Sequence, residues 1–152
     1  MLSIAKVSFK ELENDTDFPA LTIEYAHESA INGLPPPTAK LPTYRTLNEN
    51  GLLTVFVARD EGRLAGFIMV LFHEIPHYSI RLAMTESYFV FGHMRSTGAG
   101  DRLREAAEQF SEEAGAPGYF ISSPVDGPLV TILPRKGYVK TNEVFFKRFT
   151  RE

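Results

Sequence analysis

The residues with the most definite chemistry lie in the run Tyr88-Phe89-Val90-Phe91-Gly92-His93-Met94-Arg95-Ser96-Thr97-Gly98-Ala99-Gly100. An aromatic and β-branched strand pattern runs there into a glycine-containing turn, and an amphipathic stretch follows. Glycine has no Cβ to block a ligand, and the first turn of a helix directs unpaired N–H groups and partial positive charge outward. The pattern is therefore that of an anion site suited to a pyrophosphate. A P-loop would need Lys-Ser or Lys-Thr after the last glycine, but Asp101-Arg102 follows; a dinucleotide fingerprint would need glycine where Leu103 stands. What remains is Arg-x-x-Gly-x-Gly.

The elements that must position this turn are legible on both sides of it. Leu103, Ala106, Ala107, Phe110 and Ala114 share one helical face, with Arg102, Glu105, Glu108 and Glu112 away from it and Gly115 as the stop. Glu86 to Phe91 reads as the strand leading in. Before it, Leu52 to Arg59 and Leu64 to Phe72 form a hairpin across Asp60-Glu61-Gly62-Arg63, apolar on both alternating faces and so covered on both sides. Gly66 inside the second strand marks a bulge or a close neighbour. His73 to Ser79 is a polar connection. Further upstream come a strand over Ala5 to Phe9 and a helix from the N-cap Asp17 to Ala30. The run Gly33-Leu34-Pro35-Pro36-Pro37 stops that helix, and a second covers Tyr44 to Glu49. Downstream come a strand over Gly118 to Ser123 and a short helical stretch capped by Asp126 that carries Leu129, Ile132 and Leu133. The last pair of strands, Tyr138 to Lys140 and Val144 to Phe149, turns at Thr141-Asn142-Glu143. The order is that of a mixed α/β (α+β) fold.

Composition narrows the function classes. A length of 152 residues fits one domain over 1–152, and 43% hydrophobic with 23% charged residues is ordinary for a globular protein. The net charge of -3 gives no overall attraction to nucleic acid, and no basic-aromatic surface is clustered in the sequence. Positive charge gathers only at Arg135, Lys136, Lys140, Lys147, Arg148 and Arg151. Without cysteine there is no disulfide, thiolate metal site or cysteine nucleophile, and His73-Glu74 is not a metal motif, so no metal is expected. Lys6 and Lys10 interrupt the first apolar residues, and no run reaches membrane-spanning length. The expectation is a cytoplasmic protein with no membrane partner.

Arg95-x-x-Gly98-x-Gly100 resembles the Gln/Arg-x-x-Gly-x-Gly/Ala hallmark of the GNAT N-acetyltransferases at the start of their central helix. The preceding hairpin and strand fall in that family's order, Arg135-Lys136-Gly137-Tyr138 looks like its Lys-x-Gly-Phe/Tyr element, and Phe145-Phe146-Lys147-Arg148 looks like its last strand. The resemblance covers roughly Leu52 to Phe149. It implies an acyl-CoA N-acyltransferase fold, a central, mixed but mostly antiparallel sheet flanked by helices. It also implies acetyl-CoA as cosubstrate and a primary amine of a small molecule or peptide as acceptor. The N–H groups of Arg95, Ser96, Thr97, Gly98, Ala99 and Gly100 would hold the CoA pyrophosphate. The main chain of Phe89, Val90 and Phe91 would run beside the pantetheine arm.

Acetyl transfer requires a base for the amine, polarisation of the thioester carbonyl and a proton for the departing thiolate. A main-chain N–H near Val90 or Phe91 can supply the second. Glu86 is the first candidate for the base, sharing alternation parity with Tyr88 and Val90; His73 and His77 are alternatives. Where the family often carries a tyrosine acid, this chain has Leu133. Ser123 or Tyr138 then protonates the thiolate, or CoA leaves unassisted, or the protein is a weakly catalytic or inactive CoA-binding module. An exposed edge on the last strands leaves pairing into a homodimer open.

Overall fold

The structure is a computed structural model that describes residues 1–37 and 41–150. Strand β1 (Leu2–Val7) leads into α1 (Phe9–Glu13), α2 (Phe18–Glu28) and α3 (Leu41–Glu49). Then come β2 (Leu53–Asp60), β3 (Arg63–Ile75) and β4 (Ile80–Val90), a 3-10 turn at Gly92–Thr97, α4 (Ala99–Glu113), β5 (Tyr119–Phe120) and α5 (Leu129–Arg135). The sheet order is β1-β2-β3-β4-β5, antiparallel up to β4, with β5 parallel to β4. Among the described residues no helix is long and apolar enough to cross a membrane.

Alternation along β2 and β3 builds both halves of the core. Val55, Val57, Phe67 and Met69 face α1, α2 and α3, where Phe9, Leu12 and Leu21 are buried. Phe56, Ala58, Ile68 and Val70 face α4, which answers with Ala99, Leu103 and Ala107. A strand covered on both faces is apolar at every position, which is why the hairpin reads as a continuous hydrophobic run.

Several boundaries differ from the sequence expectation for identifiable reasons. Helix α1 replaces the end of the expected first strand. Ser8 Oγ accepts from the Glu11 N–H at 3.1 Å while Glu11 accepts from the Ser8 N–H at 2.7 Å, a reciprocal capping box that starts a helix at Phe9. Asp17 precedes α2 but gives it no side-chain cap; its carboxylate instead takes Arg63 and the Leu64 N–H, fastening α2 to the β2–β3 turn. The connection after Phe72 is mostly strand, because His73, Glu74 and Ile75 pair with Leu82, Arg81 and Ile80. Asp126 does not cap α5, whose preceding residue is Pro128.

The largest departure is at the C-terminal end. The strand expected over Gly118 to Ser123 shrinks to two residues, since Ser123 turns its hydroxyl onto the Pro124 carbonyl and Pro124 has no N–H for a ladder. So short an edge gives a following strand nothing to extend. The pair expected at Tyr138–Lys140 and Val144–Phe149 is accordingly not formed, and this part of the chain has no regular structure. Tyr138 is drawn to Glu108 on α4, and Phe146 and Arg148 pass against Gly33.

Candidate active site

Strand β4 carries a carboxylate at a bulge and, just beyond it, an open edge. Met69 pairs with Ser87 and Val70 with Thr85, so Glu86 is the extra residue of a β-bulge. The bulge breaks the two-residue alternation. Glu86 and Ser87 therefore line the same cavity, on the side of α1, α2 and α3, while Tyr88 and Val90 pack with the α4 layer. The shared parity of Glu86 with Tyr88 and Val90 expected from the sequence is thus reversed.

Two hydroxyls hold the Glu86 carboxylate. Tyr44, from α3, donates to Oε1 at 2.9 Å, and Ser87 donates to Oε2 at 2.7 Å. The Tyr44 ring stacks on Phe9 with centroids 5.1 Å apart, which fixes the direction of its hydroxyl. Burial, and then the charge of Glu86, raises the Tyr44 pKa far above that of a free phenol, so this group stays a hydrogen-bond donor. Tyr25, from α2, is raised for the same two reasons in the same order.

The open edge follows from the parting of β4 and β5. They pair only at Ala83 with Tyr119 and Met84 with Phe120, whereas β4 continues to Val90. A hydrogen bond between the hydroxyls of Thr85 and Tyr119, at 2.7 Å, closes the paired part. Beyond it the Phe91 N–H bonds the Ala65 carbonyl at 3.0 Å, which sets the phase of the β3–β4 ladder. Phe89 and Phe91 spend their main-chain groups on β3, and those of Tyr88 and Val90 face the open side. The Phe91 N–H is therefore not free to meet a ligand. On the open side the Val90 carbonyl accepts from Arg95 Nε at 3.2 Å.

The glycine turn is an open cup. Gly98 has φ +82°, and a Cβ there would meet nothing within 4 Å, so glycine serves the left-handed backbone and the space before the turn is clear. At Gly100 a Cβ would lie 2.8 Å from the Tyr88 hydroxyl, so this glycine lets strand and helix approach. Thr97 Oγ1 accepts from the Ala99 N–H at 3.2 Å, leaving Ala99 a weaker donor to any ligand. Arg95 is exposed and points toward α2: Nη2 meets Glu28 Oε2 at 2.6 Å and the guanidinium lies over the Phe89 ring. Glu24 accepts from the Gly92 N–H at 2.7 Å, so two carboxylates of α2 clamp the turn. The clear space at Gly98, the start of α4 and the unpaired edge of β4 suit an elongated ligand with a pyrophosphate at one end and amides along its arm.

The other candidate residues lie apart from the Glu86 cavity. Ser123 is in the loop after β5, Tyr138 is bound to Glu108 across α4, and Leu133 is buried in α5. His73 sits in β3 opposite Leu82, its Nδ1 buried without a partner, and His77 is in the β3–β4 turn beside Tyr78. A wider, open depression on α2 between Ile23 and His27 involves Glu24 and Glu28, whose carboxylates are already spent on the turn. Sequence reasoning did not find Tyr44 and Ser87. The Tyr44–Glu86 pair spans 42 positions, and nothing in the local pattern announces it.

No protein-family model matches the sequence. No curated protein matches it either. Solved structures do. A ribosomal-protein-alanine N-acetyltransferase from Brucella melitensis biovar Abortus 2308 superposes with a TM-score of 0.73 at 17% identity, over 99% of each chain. AAC(6')-Iy in complex with the bisubstrate analog CoA-S-monomethyl-acetylneamine gives 0.71 at 18%, again over 99% of each chain. A transcriptional regulator from Bacillus halodurans C-125 gives 0.75 at 15%, over 98% of this chain and 100% of the other. Likeness at these identities is likeness of fold.

Proposed function

We propose that this chain, whose fold is that of the GNAT acetyltransferases, is an acetyl-CoA-dependent N-acetyltransferase acting on a primary amine. One observation carries the reading: Glu86, held by Tyr44 and Ser87, stands at the fork where β4 leaves β5 and its edge opens. Acetyl-CoA bound along that edge supplies the thioester whose carbonyl the amine attacks. The N–H groups of Gly98 and Gly100 and the start of α4 hold its pyrophosphate, and the Val90 N–H pairs with its arm. The Tyr88 N–H, on the open edge nearer Glu86, polarises the carbonyl, since a fixed donor costs no reorganisation as charge develops. Glu86 takes the proton of the incoming amine, and the Tyr44 and Ser87 hydroxyls keep its carboxylate in one orientation.

A second reading has specific support. Leu133 stands where the resemblance calls for an acid, and neither Ser123 nor Tyr138 borders the cavity. A module that binds CoA with little turnover fits these facts. Thermal shift with acetyl-CoA tests both readings at their common point. Stabilisation of the native chain, and its loss in Gly98→Glu, is the expected outcome. No shift in the native chain refutes both. Release of CoA thiol with an amine then separates enzyme from module.

A further inference from the structure

Every residue from 139 to 150 is exposed, the apolar ones included: Val144 is 88% exposed, Phe145 86% and Phe149 80%. Single apolar side chains at a surface are ordinary, but a contiguous run of them marks a contact. Among the described residues, no main-chain N–H or C=O from 139 to 150 pairs with another main-chain group. Phe146 and Arg148, two positions apart, both border Gly33, which is the period of a strand. Ile31 and Leu34, on either side of that glycine, are half exposed and extend the same apolar surface. Val144-Phe145-Phe146 is thus a bare strand edge, made of residues that favour sheets. Its own chain does not cover it. Tyr138 is held by Glu108 on α4, whereas Phe146 and Arg148 lie beyond the end of α2, so the two halves of the tail diverge.

We infer that residues 141–149 pair antiparallel with the same residues of a second copy, across a two-fold axis at Phe145. A two-fold contact brings one stretch of chain against itself, so the register reduces to which residue sits on the axis. Centring on Phe145 places it against Phe145 of the second copy, Val144 against Phe146, and Glu143 against Lys147. Rings then meet at the centre and an opposite-charge pair closes each side, the cross-strand pairs that stabilise a sheet. Neighbouring registers lose both. Phe146 on the axis sets Phe145 against Lys147 and Val144 against Arg148; Val144 on the axis sets Lys140 against Arg148. Lys147 on the axis meets its own copy. Among the described residues Lys147 has no acidic partner, and Glu143 uses only Oε1, on Lys140. Phe145 and Phe149 from both copies, at about 150–250 Å2 a ring, bring about 600–1,000 Å2 toward the roughly 1,200 Å2 of a small specific interface. Val144 and the newly paired main chain add the remainder.

The chain has no cysteine, so single cysteines in the full-length protein report the register directly. Phe145→Cys should form a disulfide dimer under mild oxidation, because facing residues lie within the about 7 Å that a disulfide spans. Glu143→Cys alone should not, since its counterpart lies four residues along, about 13 Å away; mixed with Lys147→Cys it should cross-link. Sedimentation of the native chain should show a dimer at about 100 μM, which Lys147→Glu weakens at least about tenfold and added Glu143→Lys restores. A native chain that stays monomeric there overturns the inference, whether its tail folds back or binds phosphatidylserine vesicles instead. A dimer that Lys147→Glu leaves unchanged, or that Glu143→Lys fails to rescue, overturns it too. So does cross-linking that fails in both Phe145→Cys and the mixed pair, or that is as fast for Glu143→Cys alone.

Discussion

Gly66→Ala should be the most damaging small substitution in the sheet. Gly66 lies in β3 opposite Val90, and a Cβ placed there would sit 2.4 Å from the Phe89 carbonyl oxygen and 2.9 Å from the Val90 Cα. Real Cβ contacts stay beyond 3.0 Å, and both obstacles are main-chain atoms that no rotamer change can move. The strands must part where Phe67 and Phe89 exchange their hydrogen bonds. Overpacking of this kind costs about 1–3 kcal/mol, and weakening one or two ladder bonds adds about 1 kcal/mol each. A total of about 2–5 kcal/mol corresponds to a Tm loss of about 5–20 °C for a chain of this length. The control is Gly62→Ala in the β2–β3 turn. Gly62 also has a positive φ, +81°, but nothing lies within 4 Å of its added Cβ, so only the left-handed strain of about 1–2 kcal/mol applies. Thermal unfolding followed by circular dichroism compares the two. Gly66→Ala should also weaken acetyl-CoA binding, because the displaced segment includes the open edge at Val90. A Tm loss for Gly66→Ala no larger than that for Gly62→Ala refutes the argument from close approach.

Other consequences are open to equally direct measurement. Glu86→Gln should lower turnover about 10²–10⁴-fold while the acetyl-CoA thermal shift persists, and Tyr44→Phe, which removes only the orienting hydroxyl, should lower it about tenfold; unchanged turnover in Glu86→Gln removes this residue as the base. The Asp101 carboxyl is held below its ordinary value first by Lys136 and then by Arg104. Its contribution to stability is therefore complete above its unfolded pKa of 3.8 and fades as pH falls through the lower folded value. Urea midpoints measured from about pH 5 downward should drop less steeply in Asp101→Asn than in the native chain; parallel slopes count against the linkage.

What the sequence revealed and what it withheld divide along physical lines. The turn at Gly98 and Gly100 was legible because strand, glycine and amphipathic helix are contiguous, and α4 follows from the spacing of Leu103, Ala107 and their neighbours. The core hairpin was legible because burial on both faces leaves an unbroken apolar run. The capping box at Ser8 and Glu11 was present in the sequence as Ser-x-x-Glu, but a helix of five residues carries too little periodicity to stand out beside the strand before it. The bulge at Glu86 was not legible, since it depends on the register against Val70 and Met69. Its effect is decisive, as it turns the carboxylate from the α4 side to the cavity. Tyr44 and Tyr25 join Glu86 only through packing of α2 and α3 on the sheet, a relation no local spacing encodes. At the C-terminal end, β-branched and aromatic residues from Val139 to Phe149 have the composition of strands, but β5 is too short an edge for them to extend.

Helix α2 serves the molecule as a shared strut. Within its three turns, Thr22 and Tyr25 face the aromatic cavity while Glu24 and Glu28 grip Gly92 and Arg95. The cavity before Glu86 and the glycine turn are thus joined through one helix. Occupation of the cup would steady the same helix that forms a wall of the pocket. By reciprocity, the free energy by which the first ligand aids the second is returned in full when the order is reversed.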